Sequence, residues 1–234
     1  MFKKLEPLEN SKHQELRLSK NQNFGFAART NAVQISFSEI SQASQYYPIV
    51  FPADGSCIPT AIMGITENQN AYVDPKGQWK VPYVPFFVRM YPFALVPIDG
   101  KKDQLALCID PDAEHFAGGM GDPMFTAGGE PNEFVQGVLN SLQAYHQELA
   151  TTKALFTGMA EKELIVDRKI ELSINNEPKR IDGFKGIDME KLMTMDDAFI
   201  AGLVKNGSLP LVYSHLQSFS KFRFLYSADS HKPA

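Results

Sequence analysis

The sequence predicts an α+β protein of one domain, with a mixed or antiparallel sheet and helices packed on it. Short apolar runs bounded by proline or glycine indicate strands, and helical patterns lie between them without the regular alternation of a doubly wound sheet. One long helical pattern stands out near residues 131–160. A chain of 234 residues with 44% hydrophobic content is long enough to bury its own core.

No stretch of the sequence has the composition of a linker between two domains, so we expect one domain with two flanking segments. Residues 1–31 are polar and weakly patterned, and we expect them to lie over the surface. The α+β domain is predicted to span residues 32–228. Residues 229–234 are expected to form a C-terminal tail.

The domain is predicted to begin with a strand and a short helix. Val33, Ile35 and Phe37 alternate with polar residues, which is typical of a half-buried strand. Ser36 followed by Glu39 fits a capping box, which predicts a helix that Pro48 must end. Further strands are predicted at 49–51, 60–66 and 70–73, with a turn at 74–77.

The most aromatic stretch of the chain, residues 83–93, contains a predicted helix between two prolines. Pro85 suits the first turn of that helix and Pro92 stops it. Strands at 93–98 and 104–109 flank Asp99–Gly100, a typical hairpin turn. A loop rich in glycine and acidic residues follows, from 110 to 130.

The strongest helical pattern starts near Pro131 and continues for about five turns, with a candidate break at Thr151–Thr152. Its apolar stripe consists of Val135, Val138, Leu142, Tyr145, Leu149, Phe156 and Met159. After it, the sequence predicts strands at 164–174 and 181–187, a turn at 175–178, a helix at 189–205, a strand at 209–213 and a last helix at 216–226.

Charge is distributed unevenly along the chain. Lys and Arg total 23 against 27 Asp and Glu, a net charge of −4, so there is no basic field to attract a nucleic acid and none is predicted as a partner. Residues 91–150 hold two lysines and nine acidic residues, a net −7. This stretch is interpreted as a solvated acidic face, with a surface for a cationic partner as the alternative.

The two cysteines, Cys57 and Cys108, each lie in apolar company, which favours two buried free thiols. A single disulfide remains open if the chain is exported. The N-terminal sequence lacks the apolar region of a signal peptide, and no uncharged apolar stretch approaches the roughly 20 residues of a membrane helix. A soluble cytoplasmic protein without a membrane span is therefore expected.

Motifs that would hold a metal or a cofactor fail on spacing. An EF-hand beginning at Asp110 needs glycine at its sixth position and glutamate at its twelfth, where this chain has His115 and Gly121. A dinucleotide loop at Gly119 and Gly121 meets Met124 where a third glycine is needed. We predict no metal and no cofactor. Cys57, next to Ile58 and Pro59, suits an inert position better than a nucleophile.

Three residues remain as candidates for chemistry: Arg89, Asp110 and His215. Arg89 stands among aromatic residues, where a guanidinium can clamp a carboxylate, stack in a groove, or pair with an internal acid. His215 is placed at a predicted strand-to-helix junction, with a structural, hydrogen-bonded histidine as the alternative. The candidate binding residues are Tyr83, Phe86, Arg89, Tyr91, Asp112 and Glu114.

Several stretches, taken in order, resemble the SapC family. They are 46–51, 73–79, 83–93 and 107–110, then Met124–Phe125, 129–131, Gly183–Phe184, Ile187–Asp188, Lys191–Leu192 and 215–218. Met90 stands where a second arginine is common in the family, and Asn132 where threonine or serine is usual. The resemblance implies association with bacterial surface-array proteins, and it transfers no catalytic residues.

These observations leave three hypotheses on function. The favoured one is a non-catalytic accessory or binding protein of a surface or uptake-linked bacterial system, with a peptide or protein partner. The second is an enzyme or enzyme partner, acting on a peptide or amino acid, whose atypical site would bring Arg89, Asp110, Asp112 and His215 into one pocket. The third is a structural component of a surface layer.

Overall fold

A computed structural model describes residues 1–19, 23–98, 101–117, 119–174 and 177–229 of the chain. Its helices are α1 (Asn10–His13), α2 (Phe37–Ala43), α3 (Phe86–Arg89), α4 (Glu133–Glu161), α5 (Met189–Met193), α6 (Asp197–Lys205), α7 (Leu209–Ser218) and α8 (Phe222–Asp229). Its strands are β1 (Glu6–Pro7), β2 (Arg17–Leu18), β3 (Ala32–Gln34), β4 (Ile49–Pro52), β5 (Thr60–Ile62), β6 (Phe93–Ile98), β7 (Lys101–Ile109), β8 (Asp122–Pro123), β9 (Ile165–Ile174) and β10 (Glu177–Ile187).

The strands form three antiparallel sheets. The largest has the order β3-β5-β4-β10-β9, a second has the order β1-β7-β6, and β2 pairs with β8. The longest ladder runs from Ile165 opposite Ile187 to Ile174 opposite Glu177, with an irregularity between Ile181 and Phe184. Together with the helices that pack on these sheets, this confirms the predicted α+β class.

Two apolar clusters make up the core. The first lies against the five-stranded sheet and includes Phe51, Phe156, Leu164, Val212 and Phe222. The second lies against β6 and β7 and includes Tyr91, Phe93, Ile109, Phe116 and Leu142. Each cluster removes large side chains from water, which is the main favourable contribution to folding.

Helix α4 joins the two clusters because it is long enough to reach both. Its 29 residues span about 43 Å at the usual rise of an α-helix. Leu142, near its start, packs in the second cluster, and Phe156 and Met159, near its end, pack in the first. The helix continues through Thr152, whose hydroxyl donates to the Glu148 carbonyl at 2.6 Å and accepts from the Phe37 amide at 2.9 Å. The predicted stripe is thus confirmed, without a break.

The capping box predicted from Ser36 and Glu39 starts α2. The Glu39 side chain is buried and does more than cap the helix. One of its oxygens accepts from the Ser36 amide at 3.0 Å, and the other accepts from the Tyr83 hydroxyl at 2.7 Å and the Phe86 amide at 2.8 Å. Glu39 therefore fixes the start of the aromatic segment against α2.

The N-terminal residues contribute strands as well as covering the surface. Glu6 and Pro7 pair with Ile109 and Cys108, so β1 extends the sheet of β6 and β7. Phe24 and Phe26 are half-buried against the core. The predicted hairpin of β6 and β7 is present, while the turn at Asp99–Gly100 and the tail beyond residue 229 lie outside the described residues. Of the turn predicted at 175–178, residues 175–176 also lie outside them, and the rest of that prediction is wrong because Glu177 and Pro178 pair with β9 as the start of β10.

The strand predicted at 70–73 is wrong. Asn70 bends the backbone there, because its side-chain oxygen accepts from the Tyr72 amide at 2.9 Å and its amide nitrogen donates to the Ala27 carbonyl at 3.0 Å. Only Val73 forms a bridge, with Trp79. The strand predicted at 60–66 ends at Ile62, because the amides of Met63 and Gly64 both donate to Asn31.

The strand predicted at 209–213 is also wrong, since these residues begin α7. A short apolar run does not distinguish a strand from a helix, and here buried Ser208, Val212 and His215 recur at helical spacing. The helix predicted at 189–205 is divided into α5 and α6. The division falls where the Asp196 side chain accepts from the Phe199 amide at 2.8 Å and starts a new helix.

Both cysteines are free thiols, with Cys108 buried as predicted and Cys57 only partly so. Among the described residues, no helix has both the length and the apolar character needed to cross a bilayer.

Replacing Glu39 by alanine should destabilise the fold. The change leaves three buried or partly buried donors without their acceptor, and each such group costs about 1–3 kcal/mol. We expect a loss of at least about 2 kcal/mol in the free energy of unfolding, measured by urea denaturation. The control is Glu161→Ala, at the exposed end of α4, which should lose less than about 0.5 kcal/mol. Equal losses in the two variants would contradict the role given to Glu39.

Candidate functional site

The three candidate catalytic residues lie in different surroundings. His215 is buried in the first cluster, where its ring lies 5.1 Å from that of Phe51. Asp110 is buried beside the second cluster, within hydrogen-bond distance of Tyr91. Arg89 is exposed at the end of α3. The enzyme hypothesis requires these side chains to line one pocket, and the structure does not bring them together in one.

Arg89 has an aromatic neighbour and no acidic partner. Its guanidinium carbon lies 5.4 Å from the centre of the Phe86 ring. Within the described part of the chain, no carboxylate oxygen lies within 4 Å of it. The internal ion pair that the sequence left open is absent there, and the cation is free to meet a ligand.

The aromatic segment 83–93 contributes side chains to several depressions of the surface. Tyr83, Phe86 and Arg89 line a cleft of about 390 Å³ between α2, α3 and α4. On its floor, the ring of Phe86 stacks on that of Tyr145 with centres 4.4 Å apart. The hydroxyl of Ser38 donates to Glu148 at 2.6 Å and so joins α2 to α4 at this cleft.

Tyr91 faces a larger depression, a cavity of about 580 Å³. This size is typical of pockets that bind small ligands or single side chains of a partner. Its walls come from the N-terminal residues, the 310 turn at Gly25–Ala27 and the loop after β7. The side chains that line it include Lys3, Phe26, Arg29, Tyr91, Glu114 and His115.

Three rings form the floor of this cavity. Phe26 stacks on Tyr91, with ring centres 4.0 Å apart and planes inclined by 16°. His115 presents its ring at steep angles to both, at 5.6 Å from Phe26 and 5.3 Å from Tyr91. Offset stacking and edge contacts of this kind hold rings in fixed orientations. The floor is therefore a preformed aromatic surface.

Asp110 holds the floor in place from below. Its Oδ2 accepts from the Lys3 amide at 2.7 Å and from the Tyr91 hydroxyl at 3.1 Å, and its Oδ1 accepts from the Asp112 amide at 3.3 Å. Burial, together with the nearby Asp110, raises the pKa of the Tyr91 phenol well above its usual value. Tyr91 therefore keeps its proton and remains a donor to Asp110.

The His115 imidazole carries a polar atom that the fold leaves unused. Its Nδ1 is buried and has no hydrogen-bond partner. Burial lowers the pKa of this imidazole, with a smaller opposing effect from the charge of Glu114. The lowered pKa favours a neutral ring at pH 7.

A smaller pocket of about 200 Å³ shares Asn23, Phe26, Tyr91 and His115 with the large cavity and therefore adjoins it. Arg89 lines this pocket as well as the cleft beside α4. Arg89 therefore borders both the small pocket and the cleft beside α4.

The predicted binding residues are thus divided between these depressions. Tyr91 and Glu114 line the large cavity, Tyr83 and Phe86 line the cleft, and Arg89 reaches both the cleft and the small pocket. Asp112 is exposed, and its backbone carbonyl accepts from the Lys3 ammonium at 3.4 Å.

Sequence reasoning missed the cavity residues Lys3, Phe26, Arg29 and His115. Two of them, Phe26 and Arg29, lie in the weakly patterned segment, where no periodicity marks a buried side chain. His115 lies in the acidic loop, where the sequence drew attention to it only because an EF-hand requires glycine at that position. The one available signal was the aromatic pair Phe24 and Phe26 in an otherwise polar stretch.

No group of three or more histidine, cysteine or acidic side chains within the described ranges is arranged to hold a metal ion.

His215 has the surroundings of a structural histidine. Its Nε2 accepts from the Ile187 amide at 3.2 Å, which requires a neutral ring with the proton on Nδ1. The rings of Phe51 and Phe219 enclose it at 5.1 and 4.8 Å. Burial lowers its pKa to about 3. Gly186 approaches it closely, since a Cβ built there would lie 3.3 Å from Nε2.

Fold and site together define an α+β protein whose surface carries an aromatic cavity bordered by cations. The sequence model of the SapC family matches residues 8–225, so the chain belongs to the SapC family. No curated protein and no solved structure matches the chain.

The buried His215 should make stability depend on pH. Its folded pKa of about 3 lies below the usual 6.5, so between these values the unfolded state binds a proton that the folded state does not. Its contribution to the free energy of unfolding should therefore fall as the pH falls from 6.5 towards 3, by up to about 1.4 kcal/mol per pH unit.

Urea denaturation at pH 7, 6 and 5 measures this slope. His215→Gln should show a shallower slope than the wild-type protein, because it removes the buried imidazole. His146→Gln provides the control, since His146 lies on the exposed face of α4. A wild-type slope in His215→Gln would show that this imidazole is not the group responsible.

Proposed function

We propose that this protein is a non-catalytic accessory or binding protein of a bacterial surface or uptake-linked system, and that it holds a peptide segment of a partner in the cavity over Phe26, Tyr91 and His115. The observation that carries this proposal is the preformed aromatic floor, open to the surface and bordered by charged side chains. Aromatic surface with a few polar groups around it is the usual composition of a recognition site.

The shape of the site supports an extended ligand. The cavity of about 580 Å³ adjoins the pocket of about 200 Å³ through shared residues, and Arg89 borders the cleft beyond. A peptide could place one side chain in the cavity and continue past Arg89. Aromatic and arginine side chains are also those that most often dominate binding energy at protein interfaces.

The chemistry of the lining supports binding over catalysis. Among the described residues, those that line the large cavity include no serine, threonine or cysteine, and Tyr91 donates to Asp110. A covalent step needs a nucleophile beside a base. Of the groups in the enzyme hypothesis, Arg89 is exposed, Asp110 is buried beside Tyr91, and His215 is buried beside Phe51. We therefore keep catalysis as the weaker alternative.

Truncating the aromatic floor should weaken peptide binding. The probe is a peptide selected on the wild-type protein from a displayed library of random heptapeptides, and its affinity is then measured by isothermal titration calorimetry. Phe26→Ala should bind it about tenfold more weakly, a loss of about 1.4 kcal/mol, because the stacked pair with Tyr91 is removed.

Phe134→Ala is the matched control, since Phe134 is an aromatic residue 53% exposed on α4, away from the cavity lining. It should bind the selected peptide as the wild-type protein does, and thermal melting should show that both variants are folded. The proposal is wrong if selection returns no peptide that binds in solution, or if Phe26→Ala binds the peptide unchanged.

A further inference from the structure

We infer that the cavity recognises a carboxylate group on its ligand, held by Arg29 and Lys3 while an apolar part of the ligand packs on Phe26 and Tyr91. This inference rests on the proposed binding function and names the chemical group that the site selects. In this inference, the charged side chains select acidic ligands over neutral ones. The aromatic floor binds the apolar part of either kind of ligand and so contributes affinity only.

The charge around the cavity is the first observation. The charged side chains that line it are Lys3, Arg29 and Glu114, and the adjoining pocket adds Arg89. Three cations thus face one carboxylate, although residues 91–150, which supply part of the walls, carry a net −7. The cations come from outside this acidic stretch, and the fold places them beside it at the cavity.

The second observation is that these cations have no carboxylate partner among the described residues. Within the described ranges, no carboxylate oxygen lies within 4 Å of the guanidinium of Arg29 or Arg89 or of the ammonium of Lys3. The Lys3 ammonium reaches only the backbone carbonyl of Asp112, at 3.4 Å. The buried carboxylate of Asp110 accepts hydrogen bonds from the Tyr91 hydroxyl and from two backbone amides.

Arginine and lysine at a cavity favour an anion with oxygen atoms. A guanidinium presents paired donors that match the two oxygens of a carboxylate, and charge-assisted bonds of this type are stronger than neutral ones. A carboxylate is available from a peptide in two ways, at its C-terminus or on an aspartate or glutamate side chain. Both sources offer the same two oxygens to Arg29.

The floor of the cavity fits the rest of such a ligand. The stacked rings of Phe26 and Tyr91 provide an apolar face beside the cations. The ring of His115 packs edge-on against both of them, and its lowered pKa favours a neutral imidazole there.

Three matched synthetic peptides test the inference. They are acetyl-Gly-Ser-Gly-Phe with a free C-terminal carboxylate, the same peptide as its amide, and acetyl-Gly-Ser-Asp-Phe amide. Their dissociation constants are measured by saturation-transfer NMR at low salt, since surface charges act over about 10 Å at 0.1 M salt. We expect at least one carboxylate peptide to bind five- to tenfold more tightly than the neutral amide.

The variant Arg29→Gln should remove this difference, and Lys3→Gln should reduce it. Both changes leave the aromatic floor intact, so the neutral amide should bind these variants as it binds the wild-type protein. Lys153→Gln is the control, because Lys153 is exposed on α4 and lines none of these depressions. Inorganic phosphate at the same concentration should compete more weakly than the carboxylate peptide.

Equal binding of the neutral amide and the carboxylate peptides to the wild-type protein would overturn the inference and leave the proposed binding function in place. Unchanged selectivity in Arg29→Gln, or phosphate that competes as strongly as the peptide, would also overturn it. If none of the three peptides bound while the protein was folded, the inference would fail, and the proposed function would still be decided by the library selection.

Discussion

The buried carboxyl group of Asp110 is the constraint on which the candidate site depends. Its side chain is fully removed from water, and a carboxyl group in that position must find hydrogen-bond donors inside the protein. It finds three donors, in the Lys3 amide, the Tyr91 hydroxyl and the Asp112 amide. These donors belong to the N-terminal residues, the aromatic segment and the loop after β7, so one side chain holds together three distant parts of the chain.

The cavity follows from this arrangement. Tyr91, fixed by Asp110, offers its ring to Phe26, and His115 from the loop after β7 closes the floor. Lys3, whose backbone amide donates to Asp110, lines the cavity together with Arg29. A second buried acid, Glu39, has the corresponding role on the other side of the aromatic segment, where it fixes Tyr83 and Phe86 against α2.

The parts of the fold that could be predicted are those governed by local sequence. The capping box at Ser36 and Glu39, the short helix after Pro85 and the stripe of α4 each depend on residues a few positions apart. The errors arose where tertiary contacts decided the outcome. Residues 209–213 form a helix because Val212 and His215 must face the same core, and residues 70–73 bend because Asn70 bonds to Ala27.

The site was predicted only in part for the same reason. Arg89 and Tyr91 could be identified because they lie in the most aromatic stretch of the sequence, where a single basic residue stands out. Asp110 was found as a candidate for chemistry, and the structure instead gives it three fixed hydrogen bonds. Phe26, Arg29 and His115 approach Tyr91 only through long-range pairing of the chain, such as β1 with β7, which no periodicity in the sequence signals.

The most direct test of this account is hydrogen–deuterium exchange, measured by mass spectrometry, on the wild-type protein and the variant Asp110→Ala. Removing the shared acceptor should speed amide exchange in residues 1–9 and 112–117, because both stretches are anchored to this side chain. Exchange in β9 and β10, which belong to the five-stranded sheet, should stay as in the wild-type protein. Unchanged protection of residues 1–9 in Asp110→Ala would contradict the claim that this carboxyl group holds the cavity together.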